Sequence, residues 1–227
     1  MRYGFILALA LLIALGFSLR VAGAEEGEEP SGTSPGSFSV EWVLEAQSLE
    51  QLVDESHAIV QAEVVSISEG NPLVANPSTS GYTGDAEVDR NDSALISELL
   101  SSGAVLIPTE HVVFHVTDTI EGTLTGNFTL YKLGGQIPGG AADQSAHPPD
   151  DPAYAVGEGH LLFVERRRTD NLSAPNPDGT WLMSSPDGRF DIDASGELEA
   201  QSEGPVAAQV EGETPAEAEQ QITEAAE

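Results

Sequence analysis

Residues 57–69 read HAIVQAEVVSISE, and this stretch decides the fold. It is rich in β-branched residues, and its apolar side chains fall on both faces of an extended chain. One face holds Val60, Ala62 and Val64, and the other holds Ile59, Val65 and Ile67. A strand that is apolar on both faces packs against a layer on each side. The stretch therefore predicts a central β-strand.

A short helix is expected just before this strand. Ser48-Leu49-Glu50-Gln51 matches a capping box, with Ser48 as the N-cap and Gln51 at the third helical position. We expect the helix to end near Ser56. Its inward face would consist of Leu49, Leu52 and Val53.

The strand is followed by further segments with strand patterns. Residues 108–120, PTEHVVFHVTDTI, alternate apolar and polar side chains, turn at Glu121-Gly122 and return as NFTLYKL. The later strand segments are HLLFVERRR, TWLMSS, GRFDID and GELEA, separated by Pro, Gly and Asp-rich turns. Many short strands without βαβ alternation predict a mainly β fold. We expect a small OB-like Greek-key barrel.

Two long segments interrupt the strands. In the first, residues 70–105, Asp92 can cap a helix over 93–102 that ends at Gly103. That helix would carry an apolar stripe of Leu95, Ile96, Leu99 and Leu100. The second segment is a Gly, Pro and Ala-rich loop over 134–155. We expect the first to be an insertion folded against the barrel mouth.

The N-terminus has the features of a cleavable secretory signal. Arg2 supplies the positive charge, residues 5–17 are apolar, and Ala22 and Ala24 fit the small-residue positions before a cleavage site. The apolar run suits a signal and is short for a membrane-spanning helix, although an uncleaved anchor is the alternative. The sequence therefore predicts a signal peptide over 1–24, cleaved after Ala24, and an extracytoplasmic or secreted protein.

The polar ends flank a single predicted domain over 39–200. Residues 25–38 are mostly Glu, Gly, Ser and Pro, and residues 201–227 are mostly Glu, Ala, Gln and Pro. Such segments bury too little apolar surface to offset the loss of chain entropy on ordering. We expect a disordered acidic linker and a disordered acidic tail. Within the tail, Thr214 and Glu217 could cap a last helix, which would fray.

The charge balance excludes several classes of partner. The chain has 38 acidic and 8 basic residues, a formal net charge of −30, and Lys132 is its only lysine. Such a surface repels nucleic-acid backbones and anionic lipid headgroups. The chain has no cysteine, so no disulfide framework and no lipoprotein acylation are expected. An exported chain of this kind is typical of bacteria or archaea.

Several segments, in order, resemble a group of small exported bacterial proteins of unknown function. The matching residues are 56–64, Phe114, Val116, 120–122, 134–135, 152–154, 157–158, 161–163 and 188–190. The resemblance spans about 48–198 and implies an OB-like barrel. This chain departs from it at Glu121, where lysine is usual, and at Arg189, where a hydrophobic or small residue is usual. More remotely, the layout is similar to netrin-like barrels such as the tissue inhibitors of metalloproteinases, whose inhibitory N-terminal cysteine has no counterpart here.

His111 and His115 are four residues apart, a spacing that would bring them together on a helix. On a strand they share a face but lie roughly 13 Å apart, too far to bind one metal ion. The surrounding valines and Phe114 favour a strand. We therefore expect two histidines on the outer face of a sheet.

Asp191, Asp193 and Ser195 match the first half of a calcium-binding loop. The twelfth position of such a loop needs a bidentate carboxylate, and here it is Ser202. A hairpin turn accounts for the same residues. We therefore expect a hairpin turn here, with calcium bound by Asp191, Asp193 and Ser195 as the alternative.

Two other groups of polar residues were considered for chemistry. Asp54, Ser56 and His57 lie together at the end of the predicted helix but lack the G-x-S-x-G elbow of hydrolases. We interpret them as solvated helix-end residues. The one basic cluster, residues 166–168, is expected to offset nearby carboxylates, with an anion or partner contact as the alternative.

No pattern identifies a catalytic residue or a cofactor site. Long Gly and Pro-rich loops on a rigid barrel instead favour a non-catalytic module that binds a protein or cell-envelope component. The loops concerned are 70–105 and 134–155. The alternatives are an extracytoplasmic metal-dependent hydrolase and, by fold analogy alone, a protease-inhibitor-like protein. The hydrolase would use histidines from the set His57, His111, His115, His147 and His160.

Overall fold

The structure, a computed structural model, describes residues 18–20, 39–41, 46–75, 87–138, 145–148, 151–166 and 180–226. Its strands are β1 Ser18–Arg20, β2 Ser39–Glu41, β3 Ala58–Glu69, β4 Leu73–Ala75, β5 Val105–Ile107, β6 Thr109–Glu121, β7 Asn127–Leu133, β8 Gly135–Gln136, β9 Ser145–Ala146, β10 Gly159–Arg166, β11 Thr180–Met183, β12 Arg189–Ile192 and β13 Leu198–Ala200. Its helices are α1 Leu49–Glu55, α2 Ser93–Ser101, α3 Ala207–Val210 and α4 Pro215–Ala225, and a 3₁₀ turn covers Pro186–Gly188. Strands outweigh helices, which confirms the predicted mainly β class.

Five strands close into a barrel. Their order is β3, β6, β7, β11 and β10, and β10 pairs back with β3. All of these pairs are antiparallel except β7 with β11, which run parallel where Thr129 and Leu130 meet Thr180 and Trp181. β12 and β13 extend the sheet from β10. The predicted OB-like Greek-key barrel is confirmed.

Successive side chains along each strand point to opposite faces of the sheet, and this divides the apolar residues between two cores. The barrel core fills the interior and includes Val60, Val64, Val112, Phe114, Leu130, Leu162, Val164 and Trp181. The helix-side core lies outside the barrel and includes Leu49, Leu52, Ile59, Leu161, Phe163, Phe190, Val206, Val210 and Ile222. The central strand predicted from 57–69 packs on both faces only in its first part, where the neighbouring residues Ile59 and Val60 enter different cores. The prediction is wrong beyond the bulge that follows Val64, because Val65 is 46% exposed and Ile67 packs against the barrel core.

Both long loops leave the same end of the barrel. Glu69, the last residue of β3, lies opposite Glu110, and Thr109 lies opposite Leu133, the last residue of β7. Backbone hydrogen bonds from Gly70 to Thr109 and from Gly134 to Pro108, both 2.8 Å, continue this edge. We call it the loop end. The other end, where α1 leads into β3 and α4 packs on α1, is the helix end.

The predicted disordered tail over 201–227 is wrong for residues 201–226. α4 begins with the capping box of Thr214 and Glu217 that the sequence indicated, and Ile222 is 0% exposed. Ile222 is the only large apolar side chain of α4, which by itself would not hold the helix in place. Alanine also contributes to burying α4, because Ala218 packs in the same core as Ile222. Val206 and the α3 residue Val210 extend this buried face.

The insertion helix is confirmed, and its apolar stripe only in part. The Asp92 side chain accepts a hydrogen bond from the backbone N–H of Leu95 at 3.0 Å, and Gly103 ends the helix with φ +83°. Ile96 is buried, whereas Leu95 and Leu100 are exposed. Outside the helix, β4 and β5 join the two ends of the insertion in an antiparallel pair.

The predicted cleavage after Ala24 and the linker over 25–38 lie outside the described residues. Within the predicted leader, β1 pairs antiparallel with β2. The described part of the chain contains no helix that is both long and apolar enough to cross a membrane.

Candidate functional site

At the loop end, the interior face of the barrel becomes polar. Lys132 lies two residues after Leu130 on β7, so it occupies the same interior face of the barrel. His160 lies two residues before Leu162 on β10 and also occupies the interior face. Across β10 and β12, Arg189 lies opposite Leu162 and Asp191 lies opposite His160. Residues directly opposite each other share a face of the sheet. The side chains of these interior positions meet Asp151, and we call the group Lys132, Asp151, His160, Arg189 and Asp191 the ionic cluster.

Asp151 lies between two buried cations. Its Oδ1 is 3.1 Å from Lys132 Nζ and 3.2 Å from Arg189 Nη1. The side chains of Lys132 and Arg189 are 1% and 2% exposed. Burial lowers the pKa of Lys132, against the raising effect of Asp151. In such a dry site the attraction is strong, and a charge left without its partner is costly.

Arg189 also binds Asp191 through two hydrogen bonds. Its Nε donates to Oδ1 at 3.0 Å and its Nη2 to Oδ2 at 3.3 Å, a bidentate arrangement. His160 Nδ1 donates to the same Oδ1 at 2.7 Å. Burial alone would raise the pKa of Asp191, but the His160 hydrogen bond and the charge of Arg189 hold it below its ordinary value.

Tyr154 lies against both cations. Its ring centroid is 3.7 Å from Arg189 Cζ and 4.8 Å from Lys132 Nζ, distances at which a ring face attracts a cation. Phe114 and His160 meet the same ring edge-on, at 5.3 Å and 5.1 Å between centroids. Burial raises the pKa of Tyr154 well above its ordinary value, so the phenol stays neutral.

The two cations also hold the backbone of the second loop. Lys132 Nζ donates to the carbonyl oxygens of Asp151 at 3.0 Å and Pro152 at 2.7 Å. Arg189 Nη1 donates to the Pro152 carbonyl at 2.7 Å. Charged donors make the stronger class of protein hydrogen bond. The cluster therefore fixes the path of residues 151–154 across the barrel mouth.

A third cation, Arg90, holds the insertion in the same way. Its Nη2 is 2.6 Å from Glu69 Oε2, and its Nη1 donates to the Gly70 carbonyl at 3.1 Å. The backbone N–H of Arg90 donates to Asn71 Oδ1 at 3.2 Å. Both long loops are thus anchored to strand ends by buried or half-buried cations.

Glu110 lies between these two anchors. It is the cross-strand neighbour of Glu69 on one side and of Lys132 on the other. Burial raises the pKa of Glu110, Lys132 opposes this, and the carboxylates of Asp151 and Glu69 add to it. The carboxyl is half-buried between these groups.

The five candidate histidines occupy different environments. His111 and His115 lie on β6, as the strand interpretation required, with His115 Nδ1 2.8 Å from Asn127 Oδ1 and the His111 ring 5.7 Å from that of Tyr131. His57 is exposed. Burial and then the charge of Lys132 lower the pKa of His147. His160 alone belongs to the ionic cluster.

The three calcium candidates serve two separate features. Asp191 belongs to the ionic cluster, whereas Asp193 Oδ1 accepts hydrogen bonds from the backbone of Ser195 and Glu197, both at 2.8 Å. This is the geometry of the hairpin turn between β12 and β13. Within the described ranges, no three His, Asp or Glu side chains are grouped closely enough to hold a metal ion.

The remaining candidates have structural contacts. The hydroxyl of Ser56 donates to the Leu52 carbonyl at 2.7 Å, which closes α1, and Asp54 is exposed beside it. The Arg166 guanidinium lies 5.4 Å from the Trp181 ring centroid. The rest of the basic cluster, residues 167 and 168, lies outside the described residues.

Sequence reasoning did not bring the ionic cluster together. Lys132 was singled out as the only lysine and Arg189 as a departure from the resemblance, but neither was placed beside the other. A usable signal existed only for Lys132, which shares the face of β7 that Phe128 and Leu130 make apolar. On β12 the apolar residues Phe190 and Ile192 lie on the opposite face from Arg189, so its pattern gave no such signal.

The fold and this site define a class: a small OB-type barrel whose buried cations hold long loops at one end. In the comparisons with known proteins, no family model matches the chain and no curated protein matches its sequence.

Proposed function

We propose that this protein is an exported, non-catalytic module that binds a basic protein or a cationic cell-envelope component through its loop end. The proposal rests on one observation: the described cationic side chains are engaged in contacts within the protein. Among the described side chains, Arg90, Lys132 and Arg189 are all engaged in holding loop segments, and Arg166 lies on Trp181. With 38 acidic residues in the chain, the accessible surface is left anionic and attracts cationic partners.

The anchoring of the loops supports a binding role. OB-type barrels carry ligands on their strand faces and connecting loops, and function concentrates in loops held by a rigid scaffold. Here the insertion is bonded to β3 through Arg90, and the second loop to β7 and β12 through Lys132 and Arg189. A loop fixed before contact loses less entropy when it binds.

A site-specific crosslinking experiment tests the proposal. A photo-crosslinking residue is placed at Val156 or Leu95, both at the loop end, or at Glu219 on α4 as the matched control. Each protein is mixed with the envelope fraction of the cells that secrete it. We expect the same basic partner to be captured from both loop-end positions, less of it at high salt, and none from Glu219. Equal capture from Glu219, or no capture from the loop end, would contradict the proposal.

Metal analysis tests the hydrolase alternative. The protein is purified without chelator and its metal content is measured before and after the substitution His160→Ala. Stoichiometric metal that is lost with this substitution would overturn the non-catalytic proposal, because it would place a metal ion in the ionic cluster.

A further inference from the structure

β3 continues beyond its last hydrogen bonds to the β10 side. Its pairing with β10 covers residues 58–63, and the final bonds on that side join Val64 N to Glu158 O and Gly157 N to Val64 O, both 2.9 Å. The strand itself runs on to Glu69. Within the described ranges, no strand pairs with residues 65–69 on this side. We call residues 65–69 the open edge.

The backbone groups that face the open edge can be identified from the register. Gly70 N donates to Thr109 O at 2.8 Å, and the pairing with β6 is continuous from Ser66 to Glu69. Hydrogen-bonded and non-hydrogen-bonded pairs alternate along an antiparallel ladder. The backbone of Ser66 and Ser68 therefore faces β6, and that of Ile67 and Glu69 faces outward.

Two exposed valines lie at the start of the open edge, next to the last bonds of the β10 side. Val65 is 46% exposed at the bulge where the register with β6 shifts, and Val156 is 65% exposed immediately before Gly157. An unpaired strand edge with apolar side chains next to it is the kind of surface to which an extended peptide adds a strand.

The charges around the open edge determine which kind of peptide can bind there. Glu63 and Glu158 carry exposed carboxylates next to this edge, whereas the carboxylate of Glu69 is already paired with Arg90. A second copy of this chain, with its formal charge of −30, would bring like charges and be repelled. Lysine or arginine side chains on an incoming strand would instead be attracted.

We infer that the open edge binds an extended segment of the partner by β-strand addition, and that this segment alternates aliphatic with basic residues. The inference rests on the proposed binding function and specifies the recognition mode. Backbone bonds to Ile67 and Glu69 supply the pairing, contacts with Val65 and Val156 supply the apolar part, and the carboxylates supply the preference for basic residues.

The full chain and a synthetic peptide test this inference. The probe is the capped peptide Val-Lys-Val-Lys-Val-Lys-Val, titrated into ¹⁵N-labelled protein. We expect the amides of Ile67 and Glu69 to shift and to become protected from hydrogen exchange. The same peptide with alternate backbone nitrogens methylated keeps its charge but loses hydrogen bonds, and should bind about tenfold more weakly. The glutamate analogue should not bind.

Two variants with the same change in charge complete the test. Val65→Lys places a cation on the open edge and should weaken binding of the lysine peptide about tenfold, which is roughly 1.4 kcal/mol. Gln220→Lys on α4 should leave it within about twofold of the unmodified protein, since it lies at the helix end. Thermal melts confirm that both variants are folded.

The outcomes separate the inference from the proposed function. Binding that is insensitive to N-methylation, or shifts confined to other residues, overturns strand addition. If the peptide fails to bind while the natural partner is still captured from Val156, binding by strand addition is contradicted and the proposed function is still supported. If both the peptide and the capture fail, both are overturned.

Discussion

The barrel is covered at its loop end and on its outer face beside the helix end, but by different means. At the helix end, α1 and α4 cover a core made of apolar side chains such as Leu52, Phe163 and Ile222. At the loop end, the same strands β10 and β12 contribute His160, Arg189 and Asp191 to the ionic cluster. One sheet thus has an apolar face against the helices and a charged patch under the loops.

Apolar burial and ionic burial determine different properties of the fold. Apolar burial is non-directional and scales with area, so it stabilises the fold without fixing a particular backbone path. Buried ion pairs gain little net stability, because desolvation offsets much of the attraction. Their hydrogen bonds are directional, however, and here they end on the carbonyls of Asp151 and Pro152. The helix end stabilises the domain, and the loop end positions a surface.

The substitution Arg189→Ala should have the largest effect on this comparison. It leaves the carboxylates of Asp151 and Asp191 without their shared partner, and breaking a buried pair in this way costs about 3–5 kcal/mol of unfolding free energy. Urea denaturation at neutral pH measures the loss. Arg166→Ala, at an exposed arginine, is the control and should cost less than about 1 kcal/mol. Similar losses for the two would mean that the ionic cluster is not tightly coupled.

At the helix end, the matching test is Ile222→Ala. The side chain is fully buried between α4 and the helix-side core, so its truncation leaves a cavity and should cost about 2–4 kcal/mol. Unlike Arg189→Ala, it should leave the amide shifts of residues 151–158 unchanged. Thermal or urea unfolding gives the first quantity and ¹⁵N spectra the second. A loss below about 0.5 kcal/mol would show that α4 is not docked in solution.

The fold was largely predictable from the sequence, for local reasons. The pattern of residues 57–69 predicted a central strand, and the capping residues Ser48 and Asp92 predicted the starts of α1 and α2. The tail could not be judged from its own residues. Ala218 and Ile222 acquire their partners only when α1 and the outer face of β10 come together, which is a tertiary event.

The site was harder to predict, because its members are far apart in the chain. Lys132 and Arg189 lie on strands that are not neighbours, and Asp151 lies in a loop whose path no local pattern fixes. An inward-phase charge on a single strand is ambiguous, since a strand end can also face solvent. Only the closed barrel shows that these charges share one buried site.

Acid should weaken the loop end before the helix end. Because the folded pKa of Asp191 lies below its ordinary value of about 3.9, its contribution to stability is present above that pH and is lost as the pH falls towards the folded value. The carboxyl is partly exposed, so we expect about 1 kcal/mol or less. Urea titrations from pH 6 to pH 3 should show the stability gap between the unmodified protein and Asp191→Asn narrowing. A constant gap would contradict the ionic account of this residue.

Glu110→Gln should have the smallest effect, with the opposite sign. The folded pKa of Glu110 is raised, so the carboxyl favours the folded state most when protonated, below about pH 4.3, and this contribution is lost as the pH rises through the folded value. At pH 7 the glutamine variant should therefore be more stable, by a few tenths of a kcal/mol because the carboxyl is only half-buried. The gain should vanish near pH 4. Glu219→Gln, on the exposed face of α4, is the control for the change of glutamate to glutamine at pH 7. If Glu110→Gln were instead destabilising at pH 7, the carboxylate of Glu110 would be a stabilising partner of Lys132. The loop end would then not hold more carboxylates than its cations can pair.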